Sequence, residues 1–531
     1  MRLRLCRASS LLTCLLILLF AVSAAAQNAP PDLDAWVART MKEFEVPGIA
    51  VAIVKDGKVM VAKGYGVRKL GEPAPVDADT LFGIASNSKA FTTAALAILV
   101  DEGKIKWDDP VAKYLPSFAT YDAYVTRELT VRDLVTHRSG LGLGAGDLMF
   151  WPDTDFTREQ VLAGARYIRP ESSLRSKYAY NNLMFIVAGE VVHAVTGRTW
   201  DDFIRERIFA PLGMKASRIS SVTFKPGDNV AWPHSRGWRL EGTLTPIAMT
   251  KDDTWAAAAG VKTNVTDLSK WVIAQLNAGA LPDGKRLFSE AQSKEMWAPH
   301  TIIRITEPPT PLKATKAKFS AYGLGWTMRD FHGKKLVGHG GALTGMLSQV
   351  ALIPEEKLGV IVLTNQEEGG ALSAIVNHVF DSYLGLEPTD WVTAYKAARA
   401  ETMAKAHAAE KKQTAERAAN TRPSLPLANY AGDYQDPWYG KAVISNENGR
   451  LVLRMTRTPA MIGDLEHWHY DTFKVVFRDK TIPDAFLTFA LDNQGTIGHV
   501  TMVPTSDIAD FSFDYQDLLF KPAKAATAAA Q

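Results

Sequence analysis

Ser86-Asn87-Ser88-Lys89 places a hydroxyl and an amine three residues apart at the start of a predicted helix. The eleven residues that follow, 90–100, are apolar or small and favour a helix. Residues i and i+3 of a helix share a face, so the Ser86 and Lys89 side chains should meet at its N-terminus. A serine needs an adjacent base to act as a nucleophile, and a desolvated lysine can be that base. The alternative is a capping serine beside a solvated lysine.

Tyr180-Asn181-Asn182 is a second polar motif, and it opens a strongly apolar run that predicts another helix. A tyrosine beside a cation can have a depressed pKa and relay a proton, so Tyr180 is a candidate partner for Lys89. The amide of Asn182 can hold either a substrate amide or Lys89 itself. The motif therefore adds a candidate proton relay and a candidate binding group.

His339-Gly340-Gly341-Ala342 is a third motif, and it continues a predicted strand at residues 335–339. Its glycines would let the backbone of a substrate approach the strand closely. We therefore interpret His339, Gly340 and Gly341 as substrate-binding residues.

These three motifs, in this order, resemble the active site of the serine β-lactamase and penicillin-binding-protein superfamily. The Y-x-N and H-x-G forms are similar to the class C β-lactamase-related branch, which includes D-aminopeptidases, esterases and carboxypeptidases. The similarity extends over about residues 32–386 and includes segments at 134–141, 211–214 and 322–326. His137 lies in the first of these segments, and the resemblance places it in a structural turn instead of the catalytic centre.

The resemblance implies a set of catalytic roles. Ser86 would attack a carbonyl to form an acyl-enzyme, and Lys89 with Tyr180 would take the hydroxyl proton and return it to the leaving group. The backbone N–H groups of Ser86 and Ala342 would form the oxyanion hole. This chemistry needs no metal and no cofactor.

His339 stands where many relatives carry a lysine. A permanent ammonium suits a substrate carboxylate, whereas a histidine is mostly neutral at pH 7. We therefore expect a hydrolase of a small peptide, amide or ester, with a peptidase favoured over an esterase or a weak β-lactamase. The non-enzymatic alternative is a slowly acylating penicillin-binding sensor.

Residues 1–26 predict a secretory signal peptide, with three arginines, an apolar stretch at 11–22 and a small-residue cleavage site at 24–26. Both cysteines, Cys6 and Cys14, lie in it, so a mature chain would have no disulfide and no thiol. The signal holds three of the 60 basic residues, which leaves 57 against 57 acidic ones and disfavours nucleic-acid binding. We expect a periplasmic protein without stable membrane insertion once the signal is cleaved; its oligomeric state is left open.

The remaining chain predicts two folded parts. Residues 30–388 favour an α/β fold of the β-lactamase type, an antiparallel sheet flanked by helices with a helical subdomain. An Ala/Lys/Glu-rich stretch at 389–425 predicts a solvated helical linker, and 426–523 predict a small all-β, barrel-like domain without assigned chemistry. The principal predicted elements are helices at 32–44 and 372–384, a hairpin of 48–54 with 58–66, and strands at 323–328, 335–339, 347–353, 360–364, 441–445, 451–455, 473–477, 485–491 and 499–504.

His467-Trp468-His469-Tyr470-Asp471, within the β-domain, has the residue types of a zinc site. On one strand, His467, His469 and Asp471 would share a face. We interpret the run instead as a polar strand face, which could border the catalytic cleft.

Overall fold

The computed structural model describes residues 29–225 and 227–523, so the predicted signal peptide at 1–26 lies outside the described residues. Its centre is an eight-stranded antiparallel sheet. In spatial order the strands are Lys58–Gly66, Gly48–Lys55, Leu358–Thr364, Met346–Ile353, Lys334–Leu343, Thr327–Phe331, Ser320–Tyr322 and Thr301–Ile302. Smaller sheets contain Phe82–Gly83, Val261–Thr263 and Arg218–Ile219, and His234–Ser235 with Thr245–Pro246.

Helices cover both faces of this sheet because its central strands are apolar on both sides. Gly48–Lys55 and Leu358–Thr364 are buried along almost their whole length. Helices Leu33–Phe44 and Gly369–Leu384 cover one face, and Val265–Leu276 packs on the other. Sheet and helices thus confirm the predicted β-lactamase-like α/β fold.

Helix Ser88–Asp101, called here the Lys89 helix, forms the core of a helical subdomain. Its first twelve residues are all buried, as its continuous apolar sequence requires. Neighbouring apolar helices Leu183–Thr196 and Ala256–Ala259 pack against it. The remaining helices of this part of the chain are Ala123–Glu128, Val131–Leu134, Arg158–Gly164, Trp200–Ile204, Ala210–Leu212 and Glu290–Met296.

The C-terminal part is a closed eight-stranded antiparallel barrel, which confirms the predicted all-β domain. Its strands are Gly432–Asp436, Gly440–Glu447, Arg450–Met455, Ile462–His469, Thr472–Phe477, Ala485–Leu491, Ile497–Pro504 and Leu519–Pro522. Five of these were predicted from the period-two pattern. Gly432–Asp436, Ile462–His469 and Leu519–Pro522 were not, and the first and last of these three pair with each other to close the barrel.

Two predicted elements differ from the structure. The strand expected at 323–328 is interrupted, because Gly325 adopts a φ of +74° where the chain turns against the Lys89 helix. A Cβ on Gly325 would lie 2.4 Å from Thr93 Oγ1, so only glycine fits. The linker helix is Trp391–Ala415, and it is not fully solvated: Trp391 and Ala398 are buried in its packing against Gly369–Leu384.

The His467–Asp471 run does not lie on one strand face. The strand ends at His469, and Tyr470 turns the chain with a φ of 45°. Asp471 accepts hydrogen bonds from Ser424 and from the Tyr430 hydroxyl. These bonds join the end of the linker to the barrel. In the part of the chain that the structure describes, no group of three His, Cys, Asp or Glu side chains could hold a metal ion. Nor does any helix among residues 29–225 and 227–523 combine the length and apolarity needed to cross a bilayer.

Candidate active site

Ser86 lies in a single 3-10 turn, Ala85–Asn87, that precedes the Lys89 helix. Ala85 has a φ of 47°, a strained conformation for a residue with a side chain. The turn is fixed by the neighbouring strand: Asn87 Nδ2 donates to Ser348 Oγ at 2.8 Å, and that hydroxyl donates to the Ile84 carbonyl at 2.7 Å. This anchoring leaves the Ser86 side chain partly exposed at the base of a cavity.

Lys89 is fully buried, and its amine makes three polar contacts. Nζ lies 2.9 Å from Ser86 Oγ, 2.7 Å from Asn182 Oδ1 and 3.1 Å from the Ala258 carbonyl oxygen. Burial lowers the pKa of Lys89 to about 7. A neutral amine has two hydrogens and one lone pair, so donation to Asn182 and Ala258 leaves the lone pair directed at Ser86.

Tyr180 and Asn182 come from the turn that begins helix Leu183–Thr196. Asn181 fixes this turn, since its Oδ1 accepts from Met184 N and its Nδ2 donates to the Ala145 carbonyl. The Tyr180 hydroxyl shares a hydrogen bond with Ser86, and the Lys89 amine lies 4.9 Å from the centre of the Tyr180 ring. The expected depression of the tyrosine pKa is wrong: desolvation raises the pKa of Tyr180 well above its usual value, so the phenol is protonated.

Strand Lys334–Leu343, called here the cleft strand, forms one wall. A two-residue turn follows this strand, and Leu343 and Met346 form the hydrogen-bonded pair that closes the turn. Because hydrogen-bonded and non-hydrogen-bonded pairs alternate, Ala342 and Leu347 form a non-hydrogen-bonded pair. The Ala342 N–H therefore points away from the next strand. On that side, pairing with Thr327–Phe331 ends at Gly338. The Ala342 N–H is therefore directed towards the cavity that Ser86 also lines.

Gly340 and Gly341, the glycines of the predicted motif, have different surroundings in the cleft strand. A Cβ on Gly341 would lie 2.2 Å from the Ile84 carbonyl oxygen, so this glycine lets the strand approach the Ser86 turn. A Cβ on Gly340 would meet only one atom, at 4.0 Å, and Gly340 is exposed to the cavity. Close approach is thus required by packing within the protein at Gly341, and space for a substrate remains at Gly340.

Both ring nitrogens of His339 are engaged by protein groups. Nδ1 donates to the Gly340 carbonyl at 2.5 Å, and Nε2 accepts from the Tyr322 hydroxyl at 2.9 Å. Burial lowers the pKa of His339 to about 3, so the imidazole is neutral. His137 is also buried, and its Nδ1 accepts from Asn181 N, which agrees with a structural turn.

The cavity above Ser86 has a volume of about 590 Å³ and joins both parts of the molecule. Its aromatic wall contains Trp151, Trp255 and Tyr178. The loop at residues 505–518 of the barrel, called here the barrel loop, contributes Asp510, Phe511 and Ser512. Phe511 packs edge-on against Tyr180 with the ring centres 5.6 Å apart. The barrel therefore completes the cavity.

Sequence reasoning missed Asp147 and the barrel loop. Asp147 is fully buried, and its Oδ2 accepts from Asn182 Nδ2 and from Ser512 Oγ, both at 2.8 Å. Asp514 accepts from Gly146 N and Leu148 N at 2.6 and 3.0 Å. The available signal was the alternation of acidic and aromatic residues at 510–514, after the last predicted strand.

This fold and this pairing of a serine with a buried lysine define a serine hydrolase of the β-lactamase fold. The family model described as Beta-lactamase matches residues 33–379, and the chain belongs to that family. A second model, described as Domain of unknown function (DUF3471), matches residues 416–522.

The chain is similar to named proteins over most of its length. An unguisins hydrolase of Aspergillus campestris is 30% identical over 444 residues, which cover 80% of this chain and 79% of the relative. Penicillin-binding protein 4 of Amycolatopsis lactamdurans is 28% identical over 65% of this chain and 86% of its own. The octameric penicillin-binding protein homologue from Pyrococcus abyssi shares the fold with a TM-score of 0.58 at 24% identity, over 92% of this chain and 99% of that one.

Proposed function

We propose that this protein hydrolyses an amide or ester bond through an acyl-enzyme on Ser86, and that its substrates are peptides. The contacts of Lys89 carry the proposal: Nζ lies 2.9 Å from Ser86 Oγ, and a neutral amine that donates to Asn182 and Ala258 keeps its lone pair for the serine proton. A lysine with a pKa of about 7 is half neutral near physiological pH. It is then both basic enough to accept the serine proton and free to do so.

Acylation begins when Ser86 Oγ attacks the substrate carbonyl carbon and its proton passes to Lys89 Nζ. The protonated Tyr180 hydroxyl, which shares a hydrogen bond with Ser86, donates towards the leaving amine or alcohol as the bond to it breaks. Lys89 then reprotonates Tyr180. A raised tyrosine pKa suits this acid role better than the role of a base.

The oxyanion would lie between the N–H groups of Ser86 and Ala342. Both residues line the cavity, and the position of Ala342 in the strand turns its N–H away from the neighbouring strand. Preorganised donors of this kind stabilise the negative charge that develops on the carbonyl oxygen. Water would then attack the acyl-enzyme by the reverse proton transfers and release the acid.

The polarity of the cavity supports a substrate without a carboxylate. Neutral His339 offers no positive charge, and both of its nitrogens are already engaged. Asp510 contributes a carboxyl group to the wall. A peptide or amide segment fits this lining, with aromatic contacts from Trp151 and Trp255, better than a penicillin does.

The test is covalent labelling with a fluorophosphonate, followed by steady-state assays. Wild-type protein should be labelled once per chain, Ser86→Ala should not be labelled, and the exposed Ser176→Ala control should match the wild type. Labelling of folded Ser86→Ala would show that Ser86 is not the nucleophile.

A substrate panel separates the remaining activities: amino-acid amides of both hands, linear peptides, p-nitrophenyl esters and nitrocefin. Turnover of peptides or amides is the expected result, and turnover restricted to esters would identify an esterase. One stoichiometric burst without turnover would favour the penicillin-binding sensor, an alternative that the similarity to penicillin-binding protein 4 keeps relevant.

A further inference from the structure

We propose that the barrel loop positions the catalytic base: Ser512 and Asp514 hold Asp147, and Asp147 orients the Asn182 amide so that its oxygen faces Lys89. The inference rests on the proposed function, because these residues position a catalytic base only if Lys89 is that base. It makes the β-barrel part of the catalytic machinery.

The first step of the argument is the Asn182 amide, which has an acceptor end and a donor end. Its Oδ1 must face Lys89, because the amine can donate to Asn182 only in that orientation. Asp147 Oδ2 accepts from the opposite end, Nδ2, at 2.8 Å. In its ionised form the Asp147 carboxylate accepts and cannot donate, so it excludes the flipped amide.

The second step is that the barrel loop fixes Asp147 from three directions. Ser512 Oγ donates to the same Oδ2 atom at 2.8 Å. The carboxyl group of Asp514 accepts from the backbone N–H groups of Gly146 and Leu148, the residues on either side of Asp147. Asp147 and Asp514 are fully buried, and Ser512 is 9% exposed, so these bonds form away from bulk water.

The third step is electrostatic. The groups that face Lys89 from the surrounding elements are Tyr180, His137, His339 and, through Asn182, Asp147. Tyr180 and both histidines are neutral, because burial raises the tyrosine pKa and lowers the histidine pKa values. Asp147 is therefore the negative group that opposes the desolvation of Lys89 and raises its pKa.

The pKa of Asp147 reflects several opposing effects. Desolvation, with a smaller effect of the Asp510 carboxyl group, raises it to about 7, whereas the hydrogen bonds from Asn182 and Ser512 and the nearby Lys89 amine lower it. Loss of the Ser512 hydroxyl would consequently favour protonation of Asp147. A protonated Asp147 no longer supports the positive charge of Lys89, so the lysine pKa would fall.

The test measures acylation of the full chain by a p-nitrophenyl ester as a function of pH. Ser512→Ala should lower the plateau rate about tenfold, the effect of removing one hydrogen bond to a charged group. The acid limb of its pH–rate profile should also move to lower pH. Ser512→Thr keeps the hydroxyl, so its plateau rate and the position of its acid limb should match those of the wild type. Ser506→Ala, a serine of the same loop outside this network, is the matched control and should behave as wild type.

Asp147→Asn is the second variant, because it leaves the barrel loop unchanged and should move the acid limb in the same direction. A Ser512→Ala protein with the wild-type rate and limb would overturn the proposal. A lower acylation rate with an unchanged acid limb in both variants would also overturn it, because that result would mean a purely structural role. Failure of the wild type to label at Ser86 would instead refute the proposed function, and the two failures are thus distinguishable.

Discussion

At the scale of single residues, the chemistry depends on where each titratable side chain is buried. Lys89 and His339 are both buried cationic types, and desolvation lowers the pKa of each. The pKa of Lys89 falls from 10.5 to about 7 and that of His339 from 6.5 to about 3, so the outcomes differ because a lysine starts from a higher pKa than a histidine. Burial in the same site therefore makes Lys89 a base that is active near pH 7 and keeps His339 neutral.

Lys89 gives a prediction on pH dependence. The reactive form is the neutral amine, so kcat/KM should be low below pH 7, rise through the lysine pKa of about 7 and level off above it. Lys89→Ala and Tyr180→Phe should each reduce acylation by on the order of 10²–10⁴. Stopped-flow acylation from pH 5 to 9 checks both points, and wild-type acylation rates in the two variants would contradict the assigned roles.

Asp510 gives a prediction on selectivity. Asp510→Asn removes a negative charge from the cavity wall, so acylation by a penicillin should rise about two- to fivefold relative to a neutral ester, the range for a partly exposed charge. Asp507→Asn, an exposed aspartate of the same loop, is the matched control and should leave the ratio unchanged. Equal ratios in all three proteins would show that the wall charge does not select substrates.

At the scale of elements, the site is where the cleft strand meets the Ser86 turn. The strand can lie against Ile84 and Ala85 only because Gly341 has no side chain. Ser348, from the next strand, ties the same turn through Asn87 and Ile84. Strand packing therefore holds Ala85 in its left-handed conformation and Ser86 at the cavity base.

Gly340 and Gly341 provide a matched pair of substitution sites for testing the packing of the cleft strand. Gly341→Ala should destabilise the protein by about 1–3 kcal/mol through overpacking and lower the acylation rate, because the Ser86 turn must shift. Gly340→Ala should leave the free energy of unfolding nearly unchanged, since its Cβ would meet open space. Urea unfolding followed by tryptophan fluorescence measures both. Equal stability of the two variants would contradict the proposed packing role of Gly341.

At the scale of the whole molecule, the barrel and the α/β part share one cavity and one buried hydrogen-bond network. Phe511 packs on Tyr180, and a Cβ on Gly144 would lie 2.4 Å from the Phe511 carbonyl oxygen. Arg457 of the barrel also pairs with Asp155. The contacts of Phe511 therefore hold the barrel loop against Tyr180 at the cavity.

Export is a prediction for the whole chain. The basic, apolar and small-residue segments at 1–26 should direct secretion, so mature protein in a periplasmic fraction should begin near Gln27. Because both cysteines precede that point, a reducing agent should change neither activity nor melting temperature. N-terminal sequencing that finds Met1 intact would contradict cleavage.

The sequence by itself determined the elements with strong periodicity and the local pairs. Ser86 and Lys89 meet because helical spacing is a local property. The central strands and the five barrel strands with clear alternation were predictable for the same reason.

Only the tertiary structure decided the contacts between distant segments. Asp147 and Ser512 are separated by 365 positions, and no local pattern brings them together. The direction of the Tyr180 pKa shift likewise depends on its enclosure by other segments, and the reason for Gly341 is the position of Ile84. Spacing along the chain sets which groups can act together locally, whereas burial and long-range packing set their charge and orientation.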